Sequence, residues 1–281
     1  MKNFNRFAPA LGLLLIATSS LLAQTPATQA PATTPANPAP GMAKPPVPAP
    51  EKLTYNSIHT TEPVLAMTFD DGPNPKLTPK LLDLLKERNI KVTFFVVGEN
   101  AEKYPEILQR IVAEGHEIGN HSWNHPALTK LSAQGVSDQI NKTSDAIAAA
   151  TGKKPTLLRP PYGAVNAKLK KRINDEFHMK IILWAVDPED WRDPGAAAVT
   201  TRIVGKVHPG DIVLSHDIHA GTVEAMPAIL DQLKAKGYRF VTVSELIAMD
   251  KGSAPSTKPA GVPATASSPQ PTTASPLPPK N

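Results

Sequence analysis

The sequence predicts an α/β fold in which about seven to eight strand–helix units close a parallel sheet into a barrel, with disordered proline-rich tails on either side. Three observations lead there. Short apolar, β-branched runs alternate with segments of helical periodicity throughout residues 53–250. Composition changes abruptly at both edges of that block. Charged and histidine residues recur where the strand-like runs end, the position at which β/α barrels carry their chemistry.

The elements follow in chain order. Residues 64–69 (Val-Leu-Ala-Met-Thr-Phe) form an apolar strand ending in Asp70-Asp71-Gly72-Pro73. Residues 77–88 are helical, with Leu81, Leu82, Leu84 and Leu85 at helical spacing. Residues 91–97 read as a strand that Gly98 stops, and 104–114 as a helix with Ile107, Leu108, Ile111 and Val112 on one face. A short strand at 116–120 precedes a long helix, 132–151, closed by Gly152. Strands at 156–158, 180–186, 211–214 and 239–243 are separated by helices at 165–177, 196–207 and 223–236. Alternation at this length calls for a parallel sheet with helices outside it, and the block has the size of one domain.

Neither end resembles this block. Residues 1–23 carry Lys2 and Arg6, the apolar run 11–16 and small residues up to Ala23, the layout of a secretory signal peptide. That run is short for a bilayer span, although an uncleaved N-terminal anchor is the alternative. Residues 24–52 are a Pro/Ala/Thr-rich linker and 251–281 a Pro/Ser/Thr-rich tail; together they hold more than half of the 31 prolines. They offer nothing to bury, so both are expected to be extended. The expected location is therefore periplasmic, extracellular or cell-wall associated, with no stable membrane insertion once the signal is removed. The chain has no cysteine, which excludes disulfides and a lipid-attached signal. A net charge of +5 suits an anionic polymer such as a cell wall. No arginine-rich stripe with interleaved aromatics points to nucleic acid. The sequence leaves oligomeric state open.

Five motifs carry the chemistry. Adjacent Asp70 and Asp71 repel, so a cation or a proton must accompany them, although Asp-Gly alone also makes a turn. His121 and His125 have the spacing that points two imidazoles the same way on one helical turn, which Pro126 would end. Two imidazoles and one carboxylate with an open position make a catalytic zinc arrangement, although surface helices produce such pairs by accident. In Arg159-Pro160-Pro161-Tyr162-Gly163 the prolines fix the backbone; a rigid arginine suits a carboxylate and a fixed N–H suits an oxyanion, while a structural turn reads the same way. The last two are Asp187-Pro188-Glu189-Asp190-Trp191 and Leu214-Ser215-His216. A strand-end histidine beside an acid can be held protonated, as a general acid requires; a satisfied, half-buried histidine looks no different in sequence. His219 is assigned to the exposed rim of the groove.

In this order the five motifs resemble those of the polysaccharide deacetylases, carbohydrate esterase family 4, the NodB-type homology domain. The resemblance covers about residues 64–246 and departs from the family pattern at none of the five sites. It implies a distorted (β/α) barrel with its groove at the strand C-termini. It also implies that Asp71, His121 and His125 hold one divalent metal, zinc first, with cobalt or nickel as alternatives. Asp70 would be the general base, paired with Arg159, and His216 the general acid, oriented by Asp190. Pro161, Tyr162, Trp191 and Leu214 would line the substrate slot, with Tyr162 offering a backbone N–H and Trp191 and Leu214 receiving the acetyl methyl group. The implied substrate is an acetylated glycan: peptidoglycan first, then chitin oligosaccharides or poly-N-acetylglucosamine. An O-acetyl xylan esterase of the same family and a non-catalytic glycan-binding module are the competing readings.

Overall fold

The computed structural model describes residues 52–250; the predicted signal peptide, the linker up to residue 51 and the tail 251–281 lie outside the described residues. The described chain runs β1 (Thr54–Tyr55), β2 (Val64–Asp70), α1 (Thr78–Glu87), β3 (Thr93–Val96), α2 (Gly98–Lys103), α3 (Pro105–Ala113), β4 (Glu117–Asn120) and α4 (Ala133–Thr151). It continues through β5 (Leu157–Leu158), α5 (Ala167–Phe177), β6 (Lys180–Ile182), α6 (Ala196–Lys206), β7 (Ile212–Val213), α7 (Ala220–Ala235), β8 (Arg239–Phe240) and α8 (Val243–Ala248).

All named strand pairs are parallel, in the order β1-β6-β5-β4-β3-β2-β7, with β8 also pairing to β2. The ring closes between β7 and the chain just beyond β1 and β6. There Ile212 N–H donates to the Asn56 carbonyl (3.3 Å), Ala185 N–H to the Ile212 carbonyl (2.9 Å) and Leu214 N–H to the Val186 carbonyl (2.9 Å). The result is the distorted barrel that the motifs implied.

Strand alternation sorts the side chains. On β2, Leu65, Met67 and Phe69 face outward into the cluster shared with the surrounding helices, while Val64 and Ala66 face the barrel interior with Phe95, Leu157, Ile182 and Ile212. A strand buried on both faces needs no polar alternation, hence the unbroken apolar run. α8 adds Val243 and Leu246 to the interior cluster.

Several boundaries differ from the sequence reading. Gly98 opens α2 rather than ending a strand, its N–H donating to the Ser122 carbonyl (2.9 Å). Regular pairing of β6 ends at Ile182, because the chain turns to β7, where Ala185 N–H donates to the Ile212 carbonyl. The expected strand 239–243 ends at Phe240: Thr242 and Glu245 form a capping box that starts α8 at Val243. α7 begins at Ala220, three residues earlier than expected. β1, α2 and α8 are too short to show periodicity. Among the described residues, no helix is long and apolar enough to cross a membrane.

Candidate active site

The inward parity of β2 continues from Val64 and Ala66 through Thr68 to Asp70, so the strand delivers a carboxylate to the mouth of the barrel. The same alternation takes β5 from Leu157 to Arg159 and β7 from Ile212 to Leu214 and His216. Arg159 is fully buried and lies over the Phe95 ring, its Cζ 4.2 Å from the centroid. Its Nη1 donates to Asp70 Oδ1 and Thr68 Oγ1, both at 2.7 Å, and its Nε and Nη2 donate to the Ile182 and Leu183 carbonyls. Burial lowers the Arg159 pKa, opposed by Asp70. A buried cation so completely bonded fixes the Asp70 carboxylate in one orientation.

Asp71 leaves the strand with φ 72° and turns its carboxylate beside two imidazoles. Asp71 Oδ1 lies 3.4 Å from His121 Nε2 and 3.5 Å from His125 Nε2, and these ligand atoms fall within 4.8 Å of one another. Burial acts to raise the Asp71 pKa, but the imidazoles, His121 first, hold it down at about 2. Burial and the neighbouring His121 depress the His125 pKa, which favours its neutral form. His121 Nδ1–H donates to the Arg159 carbonyl at 2.6 Å, which fixes the ring with Nε2 toward Asp71. The buried Asp71 Oδ1 accepts no hydrogen bond. An orphaned carboxylate oxygen facing two imidazole nitrogens fits a divalent cation.

His121 and His125 do not share a helical turn. Residues 121–126 form a loop with Ser122 at φ 67° and His125 at φ 60°, and these reversals bring the rings to 4.9 Å. Pro126 removes one amide, His121 N–H donates to the Val96 carbonyl (3.0 Å), and the amides of 122 to 125 bond to side chains instead of closing a helix.

His216 stands on the other side of the mouth. Its Nδ1 meets Asp190 Oδ1 at 2.8 Å, while its backbone N–H and the Thr222 hydroxyl donate to Asp190 Oδ2 at 2.8 and 2.7 Å. Burial acts against the imidazolium, but the Asp190 hydrogen bond and the charges of Asp70, Asp190 and Asp71 push the His216 pKa up to about 9. Asp190 is correspondingly held below the usual carboxylate range: its burial is outweighed by His216.

Between these groups lies a cleft of about 420 Å³ lined by Asp70, Asp71, His121, His125 and His216, walled by Tyr162, Trp184, Asp187, Trp191 and Leu214. Leu214 is buried, whereas Tyr162 (69% exposed) and Trp191 (47% exposed) stand at the rim. Pro161 is buried behind Tyr162, whose hydroxyl donates to the His125 carbonyl at 3.3 Å. Gly163 sits at φ 61°, and a Cβ there would come within 2.9 Å of Trp184. Asp187 caps its own turn, accepting the Glu189 N–H at 2.7 Å.

Residues 57–178 match the family described as polysaccharide deacetylase. A peptidoglycan-N-acetylglucosamine deacetylase of Bacillus cereus is 42% identical over 191 residues, which cover 66% of this chain and 69% of that one. The chain belongs to the polysaccharide deacetylase family. The peptidoglycan-N-acetylglucosamine deacetylase PgdA of Listeria monocytogenes is 47% identical over 182 residues, 65% of this chain and 38% of that protein. The chain thus spans about two fifths of that relative's length. The crystal structure of the Bc1960 peptidoglycan N-acetylglucosamine deacetylase aligns with a TM-score of 0.67 at 39% identity, covering 69% of this chain and 92% of that one. Deacetylases of this family are metal-dependent, and Asp71, His121 and His125 form a cluster that could hold an ion here.

Trp184, Thr222 and Asp217 go beyond the sequence reading, and the placement of His219 differs from it. Trp184 shares the inward parity of Ile182 and walls the cleft, a signal available in the strand pattern. Thr222, three residues into α7, carries no sequence signal. His219 is half-buried rather than free at the rim, because its Nδ1 pairs with Asp193 Oδ1 at 2.8 Å. Asp217 is fully buried: its carboxylate accepts the Thr78 hydroxyl and packs so close to Gly72 that a Cβ there would collide with it.

Burial, opposed by Thr78 and reinforced by Asp71 and Asp70, pushes the Asp217 pKa up to about 7. Between the ordinary value of 3.8 and about 7 the folded state then holds a proton that the unfolded chain releases. Stability therefore falls as pH rises through that window. Asp217→Asn is expected to remove roughly 2–3 kcal/mol of the stability lost by metal-free protein between about pH 5 and about pH 8. Urea unfolding at the two pH values checks this, since pH-independent effects of the substitution cancel in the difference. The same pH dependence in both proteins would contradict it.

Proposed function

We propose that the chain is an exported, metal-dependent hydrolase that removes N-acetyl groups from N-acetylglucosamine units of peptidoglycan. The observation that carries this reading is the opposition, across one cleft, of a carboxylate held by a buried arginine and an imidazole kept protonated by Asp190. A binding module needs no such pair. The deacetylase names of the relatives support the bond type and the glycan. The basic charge and the signal-like residues 1–23 support export to an anionic wall.

Zinc is the ion that a two-imidazole, one-carboxylate set suits best, with cobalt or nickel as substitutes. When bound by Asp71, His121 and His125, it supplies a Lewis acid for the acetyl carbonyl and an acidified water. Asp70 accepts the proton of the attacking water on the carboxylate that Arg159 aims. The Tyr162 backbone N–H, fixed by Pro161, offers a donor to the developing oxyanion. His216 then gives its Nε2 proton to the departing amine, with Nδ1 anchored on Asp190. The acetamido group of the sugar and water become acetate and a free amine on the glycan, and Leu214 and Trp191 form the slot for the methyl group.

Acetate release is measured with zinc-loaded and EDTA-treated protein on peptidoglycan, N-acetylglucosamine oligomers and acetylxylan. Zinc-dependent release, fastest from peptidoglycan, is expected. Release from oligomers alone would move the substrate to chitin-type glycans, and release from acetylxylan alone would make the enzyme an O-acetyl esterase.

A further inference from the structure

The loop that carries both histidine ligands has no regular secondary structure, so something else must fix the ligand geometry. Four successive amides of this loop, 122 to 125, each donate to a side chain. Ser122 N–H donates to Asn120 Oδ1 (2.8 Å) and His125 N–H to Ser122 Oγ (3.2 Å). Both remaining amides, those of Trp123 and Asn124, converge on a single atom, Gln139 Oε1, at 2.7 and 3.2 Å. Gln139 Nε2 returns a hydrogen bond to Asn124 Oδ1 at 2.8 Å. Gln139 thus makes three bonds to the segment between the two ligands and lies on α4, outside the loop.

Its neighbours on α4 extend the support. Asn120, at the base of the loop, donates to the Ile140 carbonyl and to Ser144 Oγ, at 2.9 and 3.0 Å. From the opposite side the first amides of α2 donate to the Ser122 and Trp123 carbonyls, at 2.9 and 3.0 Å. The Ser122 and Trp123 carbonyls are therefore held by backbone, and the amides of 122 to 125 by side chains. Of those side chains Gln139 spans the most of the loop and touches neither histidine ring. We infer that Gln139 is a positioning residue that presets His121 and His125 for the metal; this rests on the reading of Asp71, His121 and His125 as ligands.

Ligand shells of this kind lose about 10–100-fold in metal affinity when an outer supporting residue is removed. Gln139→Ala puts a strong helix former at a half-exposed helix position, so α4 should persist. Zinc dissociation constants are measured by chelator competition on full-length protein, with His121→Ala alongside. Gln139→Ala should weaken zinc binding about tenfold or more. Gln139→Glu, which keeps the acceptor for both amides, should recover most of the loss. Asn124→Ala, which leaves α4 untouched, should weaken zinc binding in the same direction. A Tm lowered mainly in the zinc-loaded state would accompany positioning. Unchanged zinc affinity in both Gln139→Ala and Asn124→Ala, with His121→Ala weakened, would overturn the role of Gln139 alone. Unchanged affinity in His121→Ala would overturn the ligand reading beneath it.

Discussion

Asp70→Asn is expected to lower turnover on an N-acetylated glycan by about 10²- to 10⁴-fold while zinc stays bound. Asparagine keeps the shape of the side chain and an oxygen for Arg159 Nη1, but it cannot take a proton from water. Asp70 is not one of the clustered ligand residues, and the oxygen opposite Arg159 lies 3.7 Å from His121 Nε2, beside the cluster. The substitution leaves the buried Arg159 without its carboxylate, so some stability is lost and Tm is recorded with the rates. Elemental analysis decides the assignment: loss of zinc together with activity would mean that Asp70 and Asp71 exchange roles.

His216→Ala is expected to slow amide substrates by about 10²- to 10⁴-fold and activated aryl acetates far less. An amine leaves only when protonated, whereas a phenolate of low basicity leaves without help. With its pKa pushed up to about 9, His216 is protonated at neutral pH, so the acid is present from the start of each turnover. The rate on glycans should fall as pH rises through the His216 pKa, and His216→Ala should abolish this limb. The charges of Asp70 and Asp71 contribute to the raised value, so a bound cation that neutralises them moves the limb to lower pH. Equal slowing of amide and aryl ester would argue against the acid role.

What the sequence made legible follows from strand parity. The run 64–69 is apolar on both faces because its odd residues meet helices and its even residues meet the barrel interior, and continuing the even positions leads to Asp70. The same count leads to Arg159 and His216, so three strands deliver their polar ends to one mouth. Asp71, His125 and Tyr162 escape this count because positive φ angles turn them into the site after the strands have ended. Spacing alone therefore suggested a helical turn for His121 and His125, where a loop held by side chains from α4 stands instead. Thr222 and Gln139 were illegible for a different reason. Each is one polar residue on an ordinary helix, and its partner is set by tertiary packing alone.

The proposed reaction is hydrolysis of an N-acetyl bond at the Asp70–His216 cleft. It is tested most directly by quantifying acetate and new primary amines together after zinc-loaded protein acts on purified peptidoglycan, with Asp70→Asn as control. Acetate and amine rising in equal amounts, and neither rising with Asp70→Asn, is the predicted result. Acetate without amine would place the chemistry on an ester, and equal release by Asp70→Asn would contradict the role of this carboxylate.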